Sequence, residues 1–149
     1  MITTTAAFSG FSVDDTEAAT AFYRDRLGLT VTPSMMGNIE ITLPGSDAPV
    51  LIYPKADHVP ATFTVLNFVV EDIDVAVAEL HDAGIEIENY GGYADEKGVM
   101  RGRSVNRGPD IAWFLDPAGN VLSVLSNGPA AAADDAAAVV DAAPAVAGA

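Results

Sequence analysis

The chain has 149 residues, a formal net charge of −14, only seven Lys and Arg, and no cysteine. That length suits one domain with a proper core rather than two independent ones. The missing thiols exclude disulfide frameworks, thiolate zinc sites, iron–sulfur clusters and cysteine nucleophiles. A surface this acidic repels nucleic-acid phosphates and anionic lipid.

The N-terminal stretch, MITTTAAFSGFSV, has neither a basic region nor a continuous apolar run, so it does not read as a signal peptide. No apolar run approaches the roughly 20 residues that span a bilayer. The expectation is a cytoplasmic protein with no nucleic-acid or membrane partner.

An internal repeat follows. Residues 11–21, FSVDDTEAATA, align with residues 68–78, FVVEDIDVAVA, at an offset of 57, with five of eleven positions identical. Each copy reads as a strand running into an acidic turn and then a helix. Asp15 and Asp72 are placed to cap the helix N-termini, with Glu17 and Asp74 favourable to the helix dipole. The first helix carries Ala19, Phe22 and Tyr23 and stops near Gly28. The strand-like segments after it are Leu29–Thr32, Ile39–Leu43 and Val50–Tyr53. A linker around Lys55–Thr62, flanked by Pro54 and containing Pro60, joins the copies. In the second helix Ile73, Ala76, Val77 and Leu80 follow i, i+3, i+4, i+7 spacing, and Gly84 ends it. Its strands are expected at Ile85–Tyr90, Ile111–Leu115 and Val121–Leu125. The order βαβββ, twice, is an α+β arrangement in which neither copy is stable alone.

Between the first and second of those later segments runs Gly91–Gly108, long, glycine-rich and holding three of the five arginines. Its length points to a functional loop, with Tyr93, Met100, Arg101 and Arg103 as candidate ligand contacts; a solvated loop is the alternative. The last 24 residues, Ser126–Ala149, contain twelve Ala and no aromatic or basic residue, and are expected as a disordered or loosely helical tail.

The segments SVDDTEAATAFYRDRLGL (Ser12–Leu29), VEDIDVAVAELHDAGIEI and FLDPAGNVLSVLS (Phe114–Ser126) resemble, in order, the module signatures of the vicinal oxygen chelate superfamily, the glyoxalase/bleomycin-resistance/dioxygenase proteins. The resemblance spans roughly residues 6–126. It implies a glyoxalase/bleomycin-resistance fold: two βαβββ modules forming a curved mixed sheet with a concave cup. It also implies one domain over residues 1–127, with module one at about 6–55, module two at about 62–127 and the tail at 128–149. Members are often dimers, so a homodimer is expected. The family includes lactoylglutathione lyases and extradiol dioxygenases, whose metal is held by His or Gln, Glu, His and Glu on four strands.

Carried over one position at a time, those ligand sites hold Phe8, Ile52 (to within one residue), Val65 and Ser123. Phe, Val and Ile have no lone pair to offer, and a neutral Ser hydroxyl is a poor ligand for zinc or iron. No metal and no cofactor are therefore expected. Strand alternation sends Phe11, Val13, Phe68 and Val70 toward the helices and leaves Phe8, Val65 and Asn67 in the cup. The DPAGN turn, with Asp116 paired to Asn120, puts Trp113 opposite Ser123 on that same face. Trp113 reads either as a stacking platform or as a core tryptophan, and Asn67 as a ligand handle or a strand-satisfying amide. His58 and His81 read as surface or capping residues.

Such a cup suits a small apolar or aromatic organic molecule, held by shape and a few hydrogen bonds, for drug or metabolite sequestration. Whether the chain is an enzyme stays open. The alternative is a metal-dependent lyase or dioxygenase of the same superfamily with non-standard ligands such as Glu40, His58 or Ser123. A metal-free enzyme using the 91–108 segment, or a scaffold without ligand, remains as a residual reading.

Overall fold

The computed structural model describes residues 1–128; the alanine-rich tail beyond Gly128 lies outside the described residues. The chain divides into two compact units, Met1–Pro60 and a second that starts at Ala61. Each holds a four-stranded mixed sheet and a helix, the α+β arrangement expected from the repeat.

In the first unit the order is β1 (Ser9–Val13), α1 (Thr16–Ala21), β2 (Thr30–Pro33), β3 (Ile39–Thr42) and β4 (Val50–Pro54). The sheet runs β1-β4-β3-β2, with β1 parallel to β4 and the other pairs antiparallel. Asp15 caps α1 as expected, its carboxylate accepting from the N–H groups of Glu17 (2.9 Å) and Ala18 (3.1 Å). The helix then widens into a π-helical turn at Phe22–Arg26, closed by Leu27 N–H donating to the Phe22 carbonyl at 3.1 Å. Gly28, at φ +70°, supplies the left-handed residue that ends it. The wide turn buries both Phe22 and Tyr23, edge to face at 5.2 Å, and sets Tyr23 6.3 Å from Phe11 of β1. Phe11 is thereby fixed on the helix side of the sheet. Register carries that side across: Phe11 pairs with Ile52 and Ile52 with Ile39, so Val13, Ile39, Ile41, Val50 and Ile52 form the buried layer under the helix.

In the second unit β5 (Thr64–Val69) leads into α2 (Ile73–Asp82), then β6 (Met100–Arg101), β7 (Asp110–Leu115) and β8 (Val121–Ser126). The sheet order is β5-β8-β7-β6, with β5 parallel to β8. Asp72 caps α2 through the N–H groups of Asp74 (2.9 Å) and Val75 (3.2 Å), and Ile73, Ala76, Val77 and Leu80 are its buried face. Under it Phe68 and Phe114 stack with centroids 6.5 Å apart. The β7–β8 hairpin closes as expected: Asp116 N–H donates to the Asn120 carbonyl at 3.0 Å, and Gly119 takes φ +83°. The Asp116 carboxylate, buried, accepts from the Ala118 N–H, the Asn120 N–H and the Asn120 amide at 2.8–2.9 Å, so the turn carries its own hydrogen-bond partners.

Two expectations need correction. Ile85–Tyr90 is not a strand: it makes one isolated bridge, Glu88 to Trp113, with Glu88 N–H donating to the Trp113 carbonyl at 2.7 Å. Asn89 then accepts from Gly91 N–H, and Gly91 at φ +82° turns the chain out. Nor is Gly91–Gly108 a loop throughout. The Asp95 carboxylate accepts from the N–H groups of Lys97 and Val99, each at 2.9 Å, which folds the chain back. Met100 and Arg101 return as β6 opposite Ile111 and Asp110. The edge beside β7 is thus shared by two separate pieces of chain, because the glycines and the Asp95 turn break an otherwise alternating segment. Among the described residues no helix is long and apolar enough to cross a membrane.

Candidate functional site

The best-furnished surface lies on the side of the second sheet away from the Phe68–Phe114 layer. Cross-strand register aligns Trp113 with Ser123 and Ser123 with Asn67, three residues in one row over three strands. The placement of Trp113 opposite Ser123 is the one the hairpin chemistry implies. Ser123 is fully buried and its Oγ donates to Asn67 Oδ1 at 2.6 Å. Asn67 itself is exposed.

Around this row Trp113, Ile111, Val121 and Leu125 form a buried apolar cluster, with Tyr90 and Met100 packed against it. Tyr90 meets the Trp113 ring edge to face at 5.6 Å. Burial, and then the neighbouring Glu88 charge, push the Tyr90 hydroxyl above its ordinary pKa. The Trp113 indole N–H donates to Thr64 Oγ1 at 3.1 Å. With only 3% of its surface exposed, Trp113 is a packed wall residue whose polar atom is already paired.

Thr64 and Tyr90 are the residues that sequence reasoning misses. Counting back by twos from Val70 puts Thr64 with Leu66 and Phe68, on the helix side. The β5–β8 register slips between Thr64 and Leu66, leaving Val65 in a bulge and turning Thr64 to the Trp113 side. Only the need of a buried indole for an acceptor hints at such a partner.

The remaining predicted residues do not all converge. Phe8 lies just before β1 and is 66% exposed, and Tyr93 is 79% exposed. Met100 joins the apolar cluster. Arg101 turns away from it: its guanidinium donates to both Asp74 oxygens (2.8 and 2.9 Å) and to Asp95 (2.8 Å). Lys97 adds a second cation on Asp74 at 2.8 Å. Hydrogen bonds from Arg101 and then Lys97 hold the Asp74 carboxyl well below the usual range, and Asp74 in turn raises Arg101. Arg103 contacts Gly128 so closely that a Cβ there would meet its guanidinium.

Ile52 is the clearest displacement. It sits fully buried on the helix side, paired with Phe11. The first-unit pair that matches Asn67–Ser123 is Gly10–Leu51, so the open-face residue is Leu51. On that face Ser12 is hydrogen-bonded to His58 Nδ1 at 2.8 Å, and Glu40 accepts from Ser34 Oγ at 2.9 Å. His58 is therefore no mere surface residue, whereas His81 is exposed as expected. A separate cleft of ≈ 410 Å³, lined among others by Thr20, Arg24, Pro33 and Asn38, contains none of the predicted site residues.

Comparison with known proteins agrees with this architecture. The family described as Bleomycin resistance protein-like N-terminal matches residues 11–44. No curated protein matches the chain. Solved structures share the fold. One is TnmS3, an antibiotic binding protein from Streptomyces sp. CB03234 (21% identity, 84% of this chain and 98% of that one, TM-score 0.58). Another is the fosfomycin resistance protein FosX from Listeria monocytogenes (12% identity, 85% and 95%, TM-score 0.61). A third is a lactoylglutathione lyase from Agrobacterium tumefaciens (21% identity, 84% and 96%, TM-score 0.56). The protein thus has the glyoxalase/bleomycin-resistance fold. The family match over residues 11–44 and the shared fold make the chain similar to proteins of the vicinal oxygen chelate superfamily.

The metal used by some members of that superfamily does not fit the residues here. Phe8, Leu51 and Val65 carry no donor atom, and Ser123 spends its hydroxyl on Asn67. Among the described residues no group of three or more His, Cys, Asp or Glu side chains converges as a metal site.

Proposed function

We propose that this protein binds a small apolar or aromatic organic molecule without a metal, as a drug- or metabolite-sequestering protein. The observation that carries the reading is the Trp113–Ser123–Asn67 row beside an apolar cluster, with a neutral serine at the one position of the row where a metal-using relative needs a ligand. Such a surface offers shape and a few neutral hydrogen bonds, and little to stabilise a developing charge. The shared fold with an antibiotic binding protein and a fosfomycin resistance protein supports a resistance role. Residues 1–127 act in this proposal as one domain, in a cytoplasmic homodimer. Asn67 and Met100 are its contact residues, with the buried Ser123 and Trp113 supporting them from beneath.

The test is a thermal-shift panel of aromatic natural products on the purified chain, alongside metal analysis. A ligand at 100 times its dissociation constant adds about 2.7 kcal/mol of stability. A stabilising compound on metal-free protein is the expected result. Stoichiometric zinc, nickel or iron, with function lost on chelation, would overturn it. Size-exclusion chromatography with light scattering reads the dimer.

A further inference from the structure

Two polar side chains on the Trp113 face keep unused donors. Asn67 Oδ1 is taken by the Ser123 hydroxyl at 2.6 Å, and Thr64 Oγ1 accepts from the Trp113 indole at 3.1 Å. An amide whose oxygen is occupied still has two N–H groups, and a hydroxyl that accepts still has its own hydrogen. Among the described residues Asn67 Nδ2 donates to no protein acceptor, and neither does the Thr64 hydroxyl. Asn67 is exposed and Thr64 partly so, which leaves both donors within reach of a ligand.

The amide is also oriented. Were the Asn67 side chain reversed, its Nδ2 would lie against the Ser123 Oγ and its oxygen would point outward. Ser123 is fully buried and donates to Asn67 Oδ1, so reversing the amide would take the acceptor from a buried hydroxyl hydrogen, and the orientation that presents N–H is favoured. No cation stands on this row, and the chain carries a net charge of −14, which disfavours an anionic guest.

We infer that Asn67 is the specificity-determining donor of this face, held by Ser123 as a positioning residue, and that the ligand is an uncharged planar compound bearing a carbonyl acceptor. This rests on the small-molecule reading above. The donor would meet the carbonyl oxygen while the ring system lies toward Tyr90 and Met100, the partly buried members of the apolar cluster. A guest that lacks the acceptor must strip water from the Asn67 amide without replacing its hydrogen bonds, which is the larger part of the discrimination.

The experiment uses matched probes that differ only by C=O against CH2: fluorenone and fluorene, xanthone and xanthene, anthrone and 9,10-dihydroanthracene. Affinities are measured by calorimetry on the full chain, and the Asn67 side-chain NH2 signal is followed by NMR. The wild type should bind at least one ketone about tenfold or more tightly than its methylene partner, with the Asn67 NH2 shifted by the ketone alone. Asn67→Asp, of the same shape but without the donor, should abolish the preference while still binding the methylene partner. Ser123→Ala should weaken the preference, and Ser123→Thr should restore part of it. Equal affinity within every pair, or a preference that survives Asn67→Asp, overturns this inference and leaves small-molecule binding standing. Failure of every probe to bind overturns both.

Discussion

The two units share a repeat and differ in what they do with it. On the helix side their residues correspond: Phe11 and Phe68, Val13 and Val70, and the capping Asp15 and Asp72 recur at the same offset. On the other side they part. Gly10–Leu51 in the first unit stands where Asn67–Ser123 stands in the second. The first sheet presents Ser12 with His58 and Glu40, all partly exposed; the second presents a closed apolar cluster around Trp113. The repeat therefore holds in the layer under the helices and is lost on the opposite face.

That division is testable by substitution, and the largest effect belongs to the folding layer. Phe114 is fully buried and stacked on Phe68. Phe114→Ala should cost about 3–5 kcal/mol in denaturant unfolding. Phe11→Ala should cost less, since Phe11 is only partly buried. If the two were equal, burial would not be what separates the helix layers. Next come the caps. Asp15→Ala and Asp72→Ala should each cost about 1 kcal/mol. Hydrogen exchange should localise the loss to Thr16–Ala21 in one variant and Ile73–Asp82 in the other.

The binding layer responds on another axis. Trp113→Phe removes the donor to Thr64 but keeps an aromatic in the wall, and should cost about 1 kcal/mol. The chain holds one tryptophan, so fluorescence of the unmodified protein reports on this wall alone. A ligand that leaves it unchanged binds elsewhere, and the assignment of the face to Trp113 fails.

How far these differences are legible in the sequence depends on whether period and turn chemistry act alone. Both caps, the four buried positions of α2 and the Asp116–Asn120 hairpin follow from local rules, and so does Trp113 opposite Ser123. Counting along the sequence reaches Ile52 without knowing register, and one residue of error moves a strand residue to the opposite face. Thr64 is hidden for the same reason, because a bulge resets the alternation and leaves no composition signal. The segment 85–101 fails differently. IEIENY alternates like a strand, but the Asn89–Gly91 turn and the non-local clamp of Arg101 on Asp74 decide its path.

That clamp gives the smallest and most selective difference between the units. In the first, the ion pairs Arg24–Asp25 and Lys55–Asp57 join near neighbours on the surface and hold nothing else in place. In the second, Arg101 and Lys97 tie the returning segment to the first turn of α2. Desolvation raises the Asp95 carboxyl, yet Arg101 and the Val99 and Lys97 N–H groups together bring it below its ordinary value; Asp74 is lowered further. For a carboxylate with a depressed folded pKa, the stabilisation is fully present above the unfolded value, about 4, and is lost as pH falls through the folded one. Acidification below about pH 4 should therefore raise hydrogen exchange at residues 95–101 before it affects β1–β4. Because the Asp74 side chain is 42% exposed, raised ionic strength should weaken the clamp at neutral pH as well. Arg101→Met should move neutral-pH exchange toward that of the wild type in acid, and should weaken the salt dependence to what the exposed Lys97–Asp74 pair supplies. If segment 95–101 in Arg101→Met loosened with salt as much as in the wild type, the turn at Asp95 rather than the Arg101 clamp would be what holds Met100 against the cluster around Trp113.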